Sequence, residues 1–145
     1  MTNYAMVPAR EVRDRWAKSL GDFPLVPDRL AEALGGVTWR ALPGWEDMGD
    51  EEIARRGGLL SADLGDKIYV ITDGSLARAA AAFEIDSSDL AGLVVEHLSR
   101  FSECFFNGDV IVGDVAGTRF WVFHHEGLVG AGAVGRAVDS NLTDG

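Results

Sequence analysis

The chain has 145 residues and a net charge of −10, from 23 acidic against 13 basic residues. Its hydrophobic share of 47% and charged share of 25% are those of an ordinary globular protein, which argues against a disordered chain and against a membrane protein. The acidity argues against binding to nucleic-acid phosphate or anionic membrane and favours a partner with a basic surface.

The compartment is predicted from what the chain lacks. No apolar run approaches the roughly 20 residues that cross a bilayer, and the N-terminus has no basic region followed by an apolar stretch. Its single cysteine, Cys104, cannot form an internal disulfide, as expected in a reducing cytosol. We therefore expect a cytoplasmic protein.

Two helices are predicted near the N-terminus. Apolar residues recur at helical spacing after Pro8 and predict a helix over residues 9–20. Pro27 then opens a second, shorter helix over residues 28–34, which two glycines end.

The middle of the chain predicts strands and turns. Residues 37–42 have strand composition, and the acidic stretch that follows leads into a short helix. Residues 59–64 and 67–72 form the arms of a predicted hairpin. Residues 76–85 combine helix-favouring alanines with a strand-like ending, and we predict a strand there, after a turn at residues 73–74.

The strongest pattern lies in the C-terminal half. An amphipathic helix is predicted over residues 87–103 from an apolar stripe at Leu90, Leu93, Val94, Leu98 and Phe101. A hairpin with arms at residues 109–115 and 119–125 follows. Residues 120–123 are apolar without alternation, which indicates a strand buried on both faces and covered by the preceding helix.

Together these elements predict an α+β fold. We expect a mostly antiparallel sheet of about four to six strands, N-terminal helices, and the amphipathic helix 87–103 packed on the sheet. Residues 1–135 should form a single α+β domain, and residues 136–145 a flexible C-terminal tail.

Residues 130–135 have the GxGxxG spacing of dinucleotide-binding loops. That motif must open a helix and continue into a second strand, yet only ten residues follow Gly135. No cofactor is predicted, and the glycines indicate a flexible tail or a short closing element.

The densest charge cluster places five carboxylates within residues 46–52, beside a tryptophan that can act as an aromatic anchor. Such a cluster steers a basic protein toward the surface, although a solvated loop or helix start has the same composition. The predicted partner-binding residues are Trp45, Glu46, Asp47, Asp50, Glu51 and Glu52.

The triplet His124-His125-Glu126 is the alternative site, because imidazoles and a carboxylate can bind a metal or exchange protons. Adjacent strand residues point to opposite faces, so only His124 and Glu126 share a face unless the strand ends or bulges between the histidines. Asp109, Asp114 or Cys104 would complete such a site. No catalytic residue or metal ligand is assigned from the sequence.

Two further side chains are predicted to be structural. His97 borders the apolar stripe of helix 87–103 and should be a hydrogen-bonded residue at its boundary. Cys104, at the end of that helix, should be a small packing residue.

In size, acidity and fold class, the chain resembles the immunity (antitoxin-type) proteins of bacterial toxin systems. The resemblance implies a non-enzymatic inhibitor that neutralises a basic toxin by protein–protein interaction. The alternative function is a small enzyme, or a metal-binding or small-ligand-binding protein, that uses the His124-His125-Glu126 strand end.

Overall fold

The structure, a computed structural model, describes residues 2–134, so the predicted tail at residues 136–145 lies outside the described residues. Within them the fold is α+β, as the sequence predicts. Five α-helices are present in this part, α1 (Ala9–Leu20), α2 (Pro27–Ala33), α3 (Asp50–Arg56), α4 (Asp73–Ala79) and α5 (Leu90–Phe101). Seven strands accompany them, β1 (Ala5–Pro8), β2 (Arg40–Ala41), β3 (Lys67–Thr72), β4 (Ala81–Asp86), β5 (Val110–Asp114), β6 (Arg119–His124) and β7 (Leu128–Ala133).

The strands form one sheet in the order β1-β4-β3-β5-β6-β7-β2, and every neighbouring pair is antiparallel. It exceeds the expected four to six strands because the short strands β1 and β2 extend its two edges. None of the helices in residues 2–134 combines the length and the apolar character needed to cross a membrane.

Helices cover both faces of the sheet. On one face α1 places Trp16 against Phe120 and Tyr69, with ring centroids 4.9 and 6.0 Å apart, and α2 adds Leu30. On the other face α3 and α5 pack against alternate residues of the same strands. Strand β6 therefore buries both of its faces, as its unbroken apolar run predicts.

A buried tryptophan on each face also donates a hydrogen bond to backbone. Trp16 Nε1 donates to the carbonyl of Asp114 at 2.9 Å, and Trp121 Nε1 donates to the carbonyl of Gly57 at 2.8 Å. Each bond satisfies a polar group that burial would otherwise leave unpaired. The Trp16 bond holds α1 on one face of the sheet, and the Trp121 bond holds the end of α3 on the other.

The predicted hairpin arm at residues 59–64 is wrong. The chain there forms a short 3₁₀ helix, Leu59–Ser61, after Gly58 in the left-handed region at φ 83°. Leu59 and Leu64 are buried in the core and Leu60 is exposed, while β3 pairs with β4 and β5 instead. Of the strand predicted over residues 37–42, only β2 forms.

The strand predicted over residues 76–85 is right only in its second half. Thr72 accepts a hydrogen bond from the backbone N–H of Ser75 at 2.9 Å, and this capping box starts α4 where a turn was predicted. Ala80, left-handed at φ 47°, ends the helix and lets β4 begin one residue later. The alanines are therefore divided between the two elements: Ala77 and Ala79 lie in α4, whereas Ala81 and Ala82 begin β4 ahead of the strand-like ending.

The glycine-rich segment after residue 127 contains a strand, β7, in the part that the structure describes. Built at Gly130, a Cβ would lie 3.1 Å from Val37, and at Gly132 it would lie 3.1 Å from the same side chain. These glycines let the 34–39 segment pack closely on the strand, and residues 130–133 belong to that strand rather than to a loop.

His97 is not the hydrogen-bonded boundary residue that the sequence predicts. It is fully buried among Phe83, Phe101 and Phe105, and neither ring nitrogen has a hydrogen-bond partner within residues 2–134. Leu98, placed in the apolar stripe by its spacing, is instead 56% exposed. Burial lowers the pKa of His97, against the opposing field of the Asp50 and Glu103 carboxylates.

We expect His97 to reduce stability in acid. Because its pKa is lower in the folded than in the unfolded chain, the unfolded state binds more protons below about pH 6.5, and the free energy of unfolding falls there. Urea denaturation at about pH 7.5 and about pH 5.5 measures the change. His97→Leu should stay within about 1.5 kcal/mol of wild type at the higher pH and lose less stability on acidification. Equal losses in both proteins would contradict this role.

Candidate functional site

The two segments singled out in the sequence, residues 45–52 and 124–126, lie against each other at one end of the sheet. The Trp45 ring contacts Phe123, with centroids 5.4 Å apart, and a Cβ built at Gly127 would clash with the same indole. The backbone N–H of Leu42 also donates to the Gly127 carbonyl at 2.9 Å. The turn that carries Trp45 therefore covers the turn that follows β6.

The two histidines come together because β6 ends at His124. The backbone N–H of Gly127 donates to the His124 carbonyl at 2.8 Å, and Gly127 has φ 84°, so the chain turns sharply here. His125 has left the strand, and its ring stacks on that of His124 with centroids 4.2 Å apart. Because the strand ends between the two histidines, both imidazoles can belong to one site.

Asp109, the residue just before β5, lies beside the two histidines. Its Oδ1 accepts the backbone N–H of His125 at 2.8 Å and lies 2.8 Å from His125 Nδ1. Its own backbone N–H donates to Asp73 Oδ2 at 3.1 Å. The hydrogen bond to Asp109 raises the pKa of His125, and burial raises the pKa of Asp73.

His124 is the buried member of the cluster, with 8% of its surface exposed. Its Nδ1 accepts the backbone N–H of Glu126 at 3.1 Å, so a neutral ring carries its proton on Nε2, which faces Asp28 Oδ2 at 3.6 Å. The edge of Trp39 closes one side, 6.1 Å away between ring centroids. Glu126 thus meets His124 through its backbone, while its side chain is exposed.

The other residues considered for this site lie elsewhere. Asp114 occupies the opposite end of β5, where it accepts backbone N–H groups from Thr118 and Arg119 at 2.6 and 3.2 Å. Those hydrogen bonds lower its pKa even though burial acts in the opposite direction. Cys104 is exposed, so the expectation that it packs in the core is wrong. Of the three, Asp109 alone meets the histidines.

The acidic segment divides into structural and unengaged carboxylates. Asp50 accepts the backbone N–H groups of Phe105 at 2.7 Å and Phe106 at 3.2 Å, and Glu52 pairs with Arg56 at 2.9 Å. The other three acidic residues of the segment are Glu46, Asp47 and Glu51. Their side chains are exposed and form no ion pair with any residue of the described range.

Two imidazoles and a carboxylate can bind a divalent cation or exchange protons near neutral pH. A hydrolase of the serine or cysteine kind would also need a hydroxyl or thiol hydrogen-bonded to an imidazole. Within the part of the chain that the structure describes, no such hydrogen bond reaches His124 or His125. The cluster therefore offers two imidazoles and a carboxylate as donor atoms for a cation or for proton exchange.

Comparison with known proteins gives no family for the chain. No family model matches it, and neither a curated protein nor a solved structure matches it. Function is accordingly argued from the contacts and charges of this end of the sheet.

Asp50 is expected to stabilise the fold. Asp50→Ala should lower the free energy of unfolding by about 1 to 3 kcal/mol, because two buried backbone donors lose their acceptor. Urea denaturation measures the loss. The neighbouring Glu51→Ala serves as the control and should change stability by no more than about 0.5 kcal/mol. A similar small effect for both variants would show that the Asp50 hydrogen bonds contribute little.

Proposed function

We propose that the protein is a non-enzymatic inhibitor that binds a basic protein through the acidic end of its sheet. We define this acidic end by five residues, Trp45, Glu46, Asp47, Glu51 and Glu126. One observation carries the proposal: these four carboxylates, on the turn of the half-buried Trp45, at the start of α3 and on the turn under the indole, are exposed and form no ion pair with any of residues 2–134.

The carboxylates without an ion pair in residues 2–134 favour a protein partner for two reasons, one at long range and one at contact. At long range the net charge of −10 attracts a basic protein and raises its rate of association. At contact, carboxylates that hold no internal ion pair accept hydrogen bonds from arginine or lysine without breaking one first. Glu52, already paired with Arg56, contributes less.

Trp45 supports the same reading from its packing. The indole is half-buried, and its contacts with Phe123 and Gly127 hold it in place in the free protein. A rigid aromatic side chain loses little conformational entropy when a partner covers it, which is why tryptophan is enriched among residues that dominate interface affinity. The exposed carboxylates around it then form the polar rim.

The class of partner follows from charge and from the resemblance to immunity proteins. A toxin that acts on nucleic acid needs a basic surface, and an acidic protein of this size can occupy that surface in its place. On this proposal the protein works in the bacterial cytoplasm, where it meets the toxin. The neighbouring gene is the first candidate for the partner, and affinity purification with mass spectrometry supplies others.

The test compares two triple variants of equal charge. The first neutralises the acidic end (Glu46→Gln, Asp47→Asn, Glu51→Gln), and the second neutralises exposed residues on and after α1 (Glu11→Gln, Asp14→Asn, Asp22→Asn). Both remove three negative charges, so long-range attraction falls similarly in each. The first variant should lose at least about tenfold more affinity for the basic partner than the second does. Only the first should also fail to protect cells that express that partner.

Calorimetry at about 50 mM and about 300 mM salt gives the second readout, and affinity should fall as salt rises. Equal weakening by both triple variants would contradict the location of the surface. An affinity that does not change with salt would contradict the electrostatic mechanism.

A further inference from the structure

We propose that Asp109, His124 and His125 bind a divalent transition-metal ion, with zinc as the type ion. Each residue offers one ligand atom, and these atoms all lie within 4.8 Å of one another. The site is independent of the inhibitor proposal, because it needs no partner protein and is built from different side chains.

The spacing suits a small ion. Two ligand atoms that bind one zinc tetrahedrally, each about 2.0 to 2.1 Å from it, lie about 3.3 Å apart. Asp109 Oδ1 and His125 Nδ1 are now 2.8 Å apart, and the widest separation in the cluster does not exceed 4.8 Å. Small side-chain rotations therefore suffice, and the His125 side chain, 58% exposed, is free to make them.

The backbone holds the cluster in place while those side chains adjust. Asp109 is fixed by accepting the backbone N–H of His125 and by donating its own to Asp73. His124 is fixed as the last residue of β6, paired with Leu128 of β7. A site on strand ends loses less conformational entropy on binding than one on a free loop.

The donor atoms select among cations. Two imidazole nitrogens and one carboxylate oxygen suit zinc and its transition-metal neighbours, whereas magnesium and calcium prefer sites made of oxygen alone. Asp28, 3.6 Å from His124 Nε2, supplies a further carboxylate. Asp28 lies outside the 4.8 Å cluster, so its role is to accept the Nε2 proton when Nδ1 exchanges the Glu126 N–H for the ion.

The histidine content makes the test specific. The chain contains three histidines, and the third, His97, is buried in the core on the other side of the sheet. Untagged protein freed of metal by a chelator is titrated with Zn²⁺ while the imidazole nitrogen resonances are recorded by NMR. The resonances of His124 and His125 should shift at one equivalent, and those of His97 should not.

Calorimetry of the same protein measures affinity, with Mg²⁺ as the comparison ion. His125→Ala and Asp109→Asn should each weaken Zn²⁺ binding by at least about tenfold. The matched controls His97→Leu and Cys104→Ser should keep wild-type affinity, the latter because the exposed thiol is not part of the site. Near-UV circular dichroism of each apo variant verifies its fold, and His125→Ala keeps the backbone hydrogen bond that holds Asp109.

Three results would overturn the site. They are Zn²⁺ binding no tighter than that of Mg²⁺, unchanged affinity in both His125→Ala and Asp109→Asn, and a shift of the His97 resonances in place of those of the other two histidines. None of these results bears on the inhibitor proposal, which the triple variants test without metal.

Discussion

The unbroken apolar run of β6, Phe120 to Phe123, is the constraint on which the rest of the structure depends. A strand without polar positions needs cover on both faces, since every second side chain points to the opposite side. Trp16 and its helix supply one cover, and α3 with α5 supplies the other. Segments from the N-terminal part and from the middle of the chain are thereby fixed against one strand, and most large side chains are buried in the core.

The same constraint positions the candidate site. His124 is the first polar residue after the apolar run, so the strand ends where its burial ends. The adjacent end of β5 starts just after Asp109, because Val110 pairs with Phe123. Antiparallel pairing thus brings Asp109, which precedes β5, beside the histidines at the end of β6. The histidine cluster is therefore a direct result of the β5–β6 register.

Much of this could be predicted from sequence where the signal is local. The helix over residues 9–20 and the hairpin around residues 116–118 follow from periodicity and turn residues. The failures at residues 59–64 and 76–85 arise where short apolar runs suit either helix or strand, and tertiary contacts decide between them. The helical spacing predicts that Leu98 is buried and that His97 lies at the boundary, whereas the structure buries His97 among aromatic rings and exposes Leu98. Asp109 could be named from sequence, but its meeting with both histidines depends on register and on the turn at Gly127.

The contact between Trp45 and Gly127 has a thermodynamic consequence. Since the indole rests on the turn that follows the histidines, the acidic turn and the histidine turn share a stretch of packed surface. A side chain at residue 127 would displace the indole, so the free energy that holds either turn in place depends on the other. The absence of a side chain at Gly127 thus sets both the close fit of the indole and the position of the turn that carries the histidines.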